Sequence, residues 1–236
     1  MRLARSTTKR TETISSVLIP VGPDQVQLEG DLRIPEAAHA IVLFAHGSGS
    51  SRHSPRNRYV AQALNEGGLG TLLMDLLTHE EESIDVRTGQ LRFDIGMLAN
   101  RLVQVTDWLG HTPATRDLKV AYFGASTGGG AALVAAAERP RAVRAVVSRG
   151  GRPDLAGPAL LMVQAPTLLI VGGADTEVLD LNQHALAQLR SVKRLEIIPG
   201  ASHLFEEPGA LQAVARLARS WFQQHLAATV RSRLRL

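Results

Sequence analysis

The stretch VAYFGASTGGGAALVAAA, residues 120–137, decides how the rest of the chain is read. An unbroken apolar run ends in Gly124, one serine follows between small residues, and an alanine-rich segment begins at once. The first part favours a strand and the second a helix, so the chain must bend sharply between them. Such a bend holds the Ser126 hydroxyl out from both elements. Gly124 and Gly128 flank it at −2 and +2, where larger side chains would collide with the neighbouring strand and helix. The bend also aims Ser126 at the positive end of the helix that follows, where developing negative charge is stabilised.

Working outward, short continuous apolar runs recur: AIVLFA (40–45), GTLLMD (70–75), LKVAYFG (118–124), AVRAVVS (142–148), PTLLIVGG (166–173) and KRLEIIP (193–199). Strands without polar alternation are buried on both faces, as in a parallel sheet covered by helices. Helical segments are expected between them, at about 55–66, 93–109, 127–138, 180–190 and 208–226. The last of these puts Leu211, Val214, Leu217, Trp221 and Phe222 near one face. Ahead of the runs, ISSVLIPV (14–21) and VQLEGDLRIP (26–35) alternate and read as an antiparallel pair around the turn GPD. The fold class expected is α/β: a doubly wound, mostly parallel sheet with an antiparallel N-terminal strand pair. It forms one domain over 13–227, between basic segments at 1–12 and 228–236.

Composition narrows the function. The 236 residues contain no cysteine, which excludes disulfides, a thiolate nucleophile and cysteine metal sites, and suits a reducing cytoplasm. No apolar run approaches the roughly 20 residues that span a bilayer, so no membrane role is expected. The isoelectric point near 10.1 is an effect of the ends. Seven basic residues lie in the first ten and last six positions, leaving 19 basic against 22 acidic residues in the body. Aromatic content of 4% offers few stacking platforms, and no nucleic-acid role is read from the charge.

Ligands of such sheets bind beyond the carboxyl ends of the strands, so the polar residues just after the apolar runs matter most. A serine hydroxyl needs a base, and the base an orienting acid. Asp175 follows LLIVGG, and His203 follows LEIIPG. The order serine, acid, histidine is the one associated with this elbow. Helix N-capping is the rival role for Asp175, a plain loop position the rival for His203. Glu177 and Asp180 lie nearby but further along. Two backbone amides must face the developing oxyanion. Thr127 supplies one, and Ser48, in the loop FAHGSGSSRHSPRN, is the first choice for the other.

Gly47 and Gly49 allow a bound group close to the backbone. His46 is expected to order this loop by hydrogen bonding; His46, Gly47, Gly49 and Arg149 complete the substrate-binding candidates. Arg149 and Arg152 follow a strand end, either to hold an anionic group or to pair with Asp154. LLTHEEESIDVRTGQLRFD (76–94) reads as a polar excursion whose EEE run is solvated surface. The loop GSGSSR lacks the third glycine of a dinucleotide fingerprint and the G-K-[ST] ending of a P-loop. The histidines offer no zinc spacing, and no cofactor or metal is expected.

These motifs, HGSGSSRHSPRN, GASTGG, LLIVGGADTEV and GASHLFEEPG, resemble the α/β-hydrolase superfamily, most closely its small lidless branch of dienelactone-hydrolase-like proteins. The resemblance runs from about residue 13 to 226. It implies a triad of Ser126, Asp175 and His203, with an oxyanion hole at the Ser48 and Thr127 amides. Dienelactone hydrolases proper use cysteine, which this chain lacks, so the resemblance points to serine-dependent hydrolysis of small or flexible carboxylic esters. With only 17 residues between Ser148 and Pro166, no cap domain is expected. Acyl transfer and amide hydrolysis share the same acyl-enzyme and stay open. A non-catalytic binding module of the same fold is the rival from another class.

Overall fold

The computed structural model describes residues 13–23 and 26–227; the basic segments at 1–12 and 228–236 lie outside the described residues. Eight strands form one sheet: β1 (Thr13–Val21), β2 (Val26–Ile34), β3 (Ala40–Ala45), β4 (Gly70–Met74), β5 (Lys119–Ala125), β6 (Val143–Arg149), β7 (Thr167–Gly172) and β8 (Lys193–Ile198). Their order is β1-β2-β4-β3-β5-β6-β7-β8. β1 pairs antiparallel with β2, in register from Thr13↔Ile34 to Val21↔Val26, and β2 pairs antiparallel with β4. Every later pairing is parallel.

Helices cover both faces: α1 (Pro55–Glu66), α2 (His79–Thr88), α3 (Ile95–His111), α4 (Thr127–Glu138), α5 (Thr176–Gln188) and α6 (Ala210–Leu226). The apolar runs are strands because their side chains are taken up on both sides. Leu43, Leu72, Tyr122 and Val146 face Leu102 and Val105 of α3 and Ala132 and Ala135 of α4. Val42, Phe44, Phe123 and Val147 face Val60 and Leu64 of α1 and Val214 and Phe222 of α6. Each fully buried large side chain contributes about 1.5–3 kcal/mol. The α6 stripe is as expected, with Leu211 and Leu217 only partly buried at its margin.

Two regions differ from the sequence expectation. The excursion after β4 folds into α2, started by a reciprocal capping box in which Thr78 Oγ1 accepts the Glu81 N–H at 3.2 Å and the Glu81 carboxylate accepts the Thr78 N–H at 2.8 Å. Glu81 is therefore no solvated charge, and its carboxylate also receives the Arg101 guanidinium. The helix is too polar to show an apolar period. Secondly, α5 starts at Thr176, four residues ahead of the expected position. Between β6 and β7 lies only a kinked 3₁₀ segment, Pro153–Met162, and the described residues include no cap domain.

Candidate active site

The four elements singled out in the sequence gather at the carboxyl edge of β3, β5, β7 and β8. Ser126 joins β5 to α4 with φ 50° and ψ −123°, a left-handed conformation that costs an L-residue energy and persists only when its surroundings enforce it. The enforcement is steric. A Cβ on Gly128 would lie 2.3 Å from the Ala45 carbonyl oxygen and 2.5 Å from that of His46, so only glycine lets α4 start against the end of β3. Hydrogen bonds complete the grip: the Ser126 N–H donates to the Arg149 carbonyl at 3.3 Å, and the Arg152 N–H to the Ser126 carbonyl at 3.0 Å.

Asp175 occupies the N-cap position of α5, yet its side chain makes no capping bond. The carboxylate turns instead to His203, whose Nδ1 donates to Oδ2 at 2.7 Å. With Nδ1 carrying the proton, Nε2 is left as the basic nitrogen. The loop bearing His203 closes over the end of β7, where a Cβ on Gly172 would meet the Ala201 carbonyl oxygen at 2.2 Å. The Ala174 N–H donates to that same oxygen at 2.9 Å, and Glu207 accepts the Ser202 N–H at 3.0 Å. Glu177 and Asp180 lie within α5, past the turn that carries Asp175.

The loop after β3 passes directly over the elbow. A Cβ on Gly47 would stand 3.0 Å from Ser126 Cβ. His46 fixes this loop: Nδ1 donates to the Gly47 carbonyl at 2.9 Å and Nε2 accepts the Leu76 N–H at 3.0 Å. Burial lowers its pKa below the ordinary value, outweighing the Gly47 bond and the charges of Asp75 and Glu82. Further along, the Arg52 N–H donates to Asp75 Oδ1 at 2.7 Å, and its guanidinium bridges Asp75 and Glu29. The Ser48 N–H donates to Thr127 Oγ1 at 2.9 Å, tying loop to elbow through the amide expected at the oxyanion. Gly49 turns the loop at φ 66°.

Arg149 ends β6 beside the elbow, with its guanidinium 5.8 Å from the centre of the Phe205 ring. Burial pushes its pKa down to about 10, and the charge of Arg56 adds to the effect. Sequence reasoning missed Phe205 and the Arg101–Glu81 tie. The T-x-x-E spacing of Thr78 and Glu81 announces the capping box that holds Glu81, whereas no local pattern announces Phe205 or the reach of Arg101 across 20 positions.

A strand-to-helix elbow, an acid–histidine pair and a glycine loop on one sheet edge define the hydrolases of the α/β-hydrolase fold. The chain belongs to that family, whose model matches residues 40–196. It is similar to a dienelactone hydrolase from Anabaena variabilis, whose crystal structure shares 67% identity and a TM-score of 0.89, covering 91% of this chain and 99% of its own. A serine hydrolase without lid from Xanthomonas campestris has the same fold at 21% identity, with a TM-score of 0.70 over 92% of this chain and 96% of its own. The Mycobacterium tuberculosis protein Rv0571c, provisionally named a phosphoribosyl transferase, is 59% identical over 210 residues. That match takes in 89% of this chain and 46% of the relative, so the chain spans about half the length of the curated relatives it matches.

No helix among the described residues is long and apolar enough to cross a membrane. No group of three or more His, Asp or Glu among them could hold a metal ion.

Proposed function

We propose that this hydrolase cleaves small or flexible carboxylic esters, with Ser126 as nucleophile. The observation that carries the reading is the Asp175–His203 hydrogen bond: a carboxylate at a helix start forgoes capping to orient an imidazole. Gly150, next to the register partner of Ala125, packs against that imidazole, which brings it to the strand neighbouring the nucleophile.

His203 Nε2 takes the Ser126 proton as the hydroxyl oxygen attacks the ester carbonyl. The tetrahedral oxyanion is held by the Thr127 N–H at the positive end of α4. The Ser48 N–H is the second donor once the Thr127 hydroxyl yields it to the substrate oxygen. Collapse expels the alcohol, protonated by His203, and leaves an acyl-serine. Water, deprotonated by His203, then releases the acid and frees Ser126. The phosphoribosyl transferase name belongs to relatives about twice this length and is not carried over. The expected location is the cytoplasm.

The test is labelling with a fluorophosphonate. Stoichiometric modification of Ser126, with S126A unlabelled and slower on activated esters by several orders of magnitude, is the expected result. A folded protein whose Ser126 resists the probe would overturn the assignment.

A further inference from the structure

Two arginines follow β6, and the structure separates their fates. Arg152 closes a two-pronged bridge to Asp154, Nε to Oδ1 at 2.8 Å and Nη2 to Oδ2 at 2.7 Å. Arg149 has no such partner. Only 8% exposed, it leaves Nε and Nη1 buried without an acceptor, and no carboxylate among the described residues lies within bridging distance. The charge acting on it is that of another cation, Arg56, whose own Nη1 is engaged by Glu206 at 3.0 Å.

Burying a guanidinium without a counter-ion is unfavourable, and a ring face at 5.8 Å offsets only part of that cost. The ring itself is held at a cost: Phe205 has φ 56°, and Ser126 is the other non-glycine residue with positive φ among those described. Both strained residues belong to this corner. Arg149 pairs in register with Ala125, accepts the Ser126 N–H through its carbonyl, and rests on a ring two residues beyond His203.

We propose that Arg149 anchors one anionic group of the substrate, a carboxylate or a phosphate, so that the esters this enzyme is built for are anionic. The planar fork of a guanidinium matches either group with two parallel hydrogen bonds, through Nη2 together with Nε or Nη1, so one anion offsets the charge and gives an acceptor to one of the two unpaired nitrogens. Arg152 is already satisfied by Asp154, which makes Arg149 the selective residue. This inference rests on the ester-hydrolase reading above and specifies its substrate.

The experiment compares para-nitrophenyl butyrate with the para-nitrophenyl hemiester of succinate, an acyl group of the same length ending in a carboxylate. Wild type, R149K and R149M are measured on both, and fluorophosphonate labelling of each reports separately on the serine. Wild type is expected to prefer the hemiester in kcat/KM by about tenfold or more, the range of a hydrogen-bonded charge pair. The preference should shrink in R149K and vanish in R149M. Free succinate or inorganic phosphate should slow labelling of wild type but not of R149M, and the better protector tells carboxylate from phosphate. A reactive serine with no preference in wild type, or with one that persists in R149M, would overturn the anchor alone. Should R149M not fold, protection of wild type decides, and its absence with both anions is equally fatal. An unreactive serine would instead count against the hydrolytic reading.

Discussion

His203 donates its Nδ1 proton to Asp175 Oδ2 across 2.7 Å, and the carboxylate that receives it sits at the start of α5 without capping that helix. The side chain thus serves the imidazole rather than the helix end, and the catalytic role proposed for it can be separated from a structural one by one substitution. D175N offers Nδ1 an amide that can turn its N–H toward the ring, favouring the tautomer that protonates Nε2. Turnover of an activated ester should fall by roughly three to four orders of magnitude. The thermal midpoint should hardly move, because no capping bond is lost. Steady-state kinetics beside a melting curve checks both, and a large drop in midpoint would mean that Asp175 is structural.

Close approach at the elbow predicts a contrast between two glycine-to-alanine changes. At Gly128 the new methyl meets backbone oxygens of Ala45 and His46 at 2.3 and 2.5 Å, and backbone cannot swing aside as a side chain can. G128A should cost about 1–3 kcal/mol or more and displace Ser126, slowing its labelling. Gly110, exposed near the end of α3, would meet nothing within 4 Å. G110A should therefore stabilise by about 0.5–1 kcal/mol through helix propensity alone. Denaturant unfolding of the two variants measures both signs.

Which of these features can be read from the sequence follows from what each depends on. Uninterrupted apolar runs betray strands buried on both faces, and the glycines around Ser126 betray the elbow, because both are local consequences of steric and solvation demands. The capping of α2 was local too, but its residues are polar and an apolar period cannot reveal it. Arg149 and Arg152 are indistinguishable in SRGGRPD, since whether a guanidinium finds Asp154 or nothing is decided by how the chain folds back. The Ser48 amide is a similar case: its bond to Thr127 spans 79 positions. The strain at Phe205 leaves no trace in composition.

His46 should make the stability of the loop over the elbow sensitive to acid. Its Nε2 accepts the Leu76 N–H, a bond that only the neutral ring can make, and burial lowers its pKa below the ordinary 6.5. In the unfolded chain the ring takes up a proton near 6.5, while the folded protein resists until the pH is lower. Between those two values the unfolded state binds more protons, so stability falls as pH falls through that window and levels off beneath it. Each unit of depression corresponds to about 1.4 kcal/mol. The half-buried His225 is shifted in the same direction by its own burial, so wild type must be compared with H46Q rather than with a constant. Unfolding free energies from denaturant titrations between neutral and mildly acidic pH should give a shallower slope for H46Q. Parallel curves for the two proteins would show that His46 does not resist protonation in the folded state.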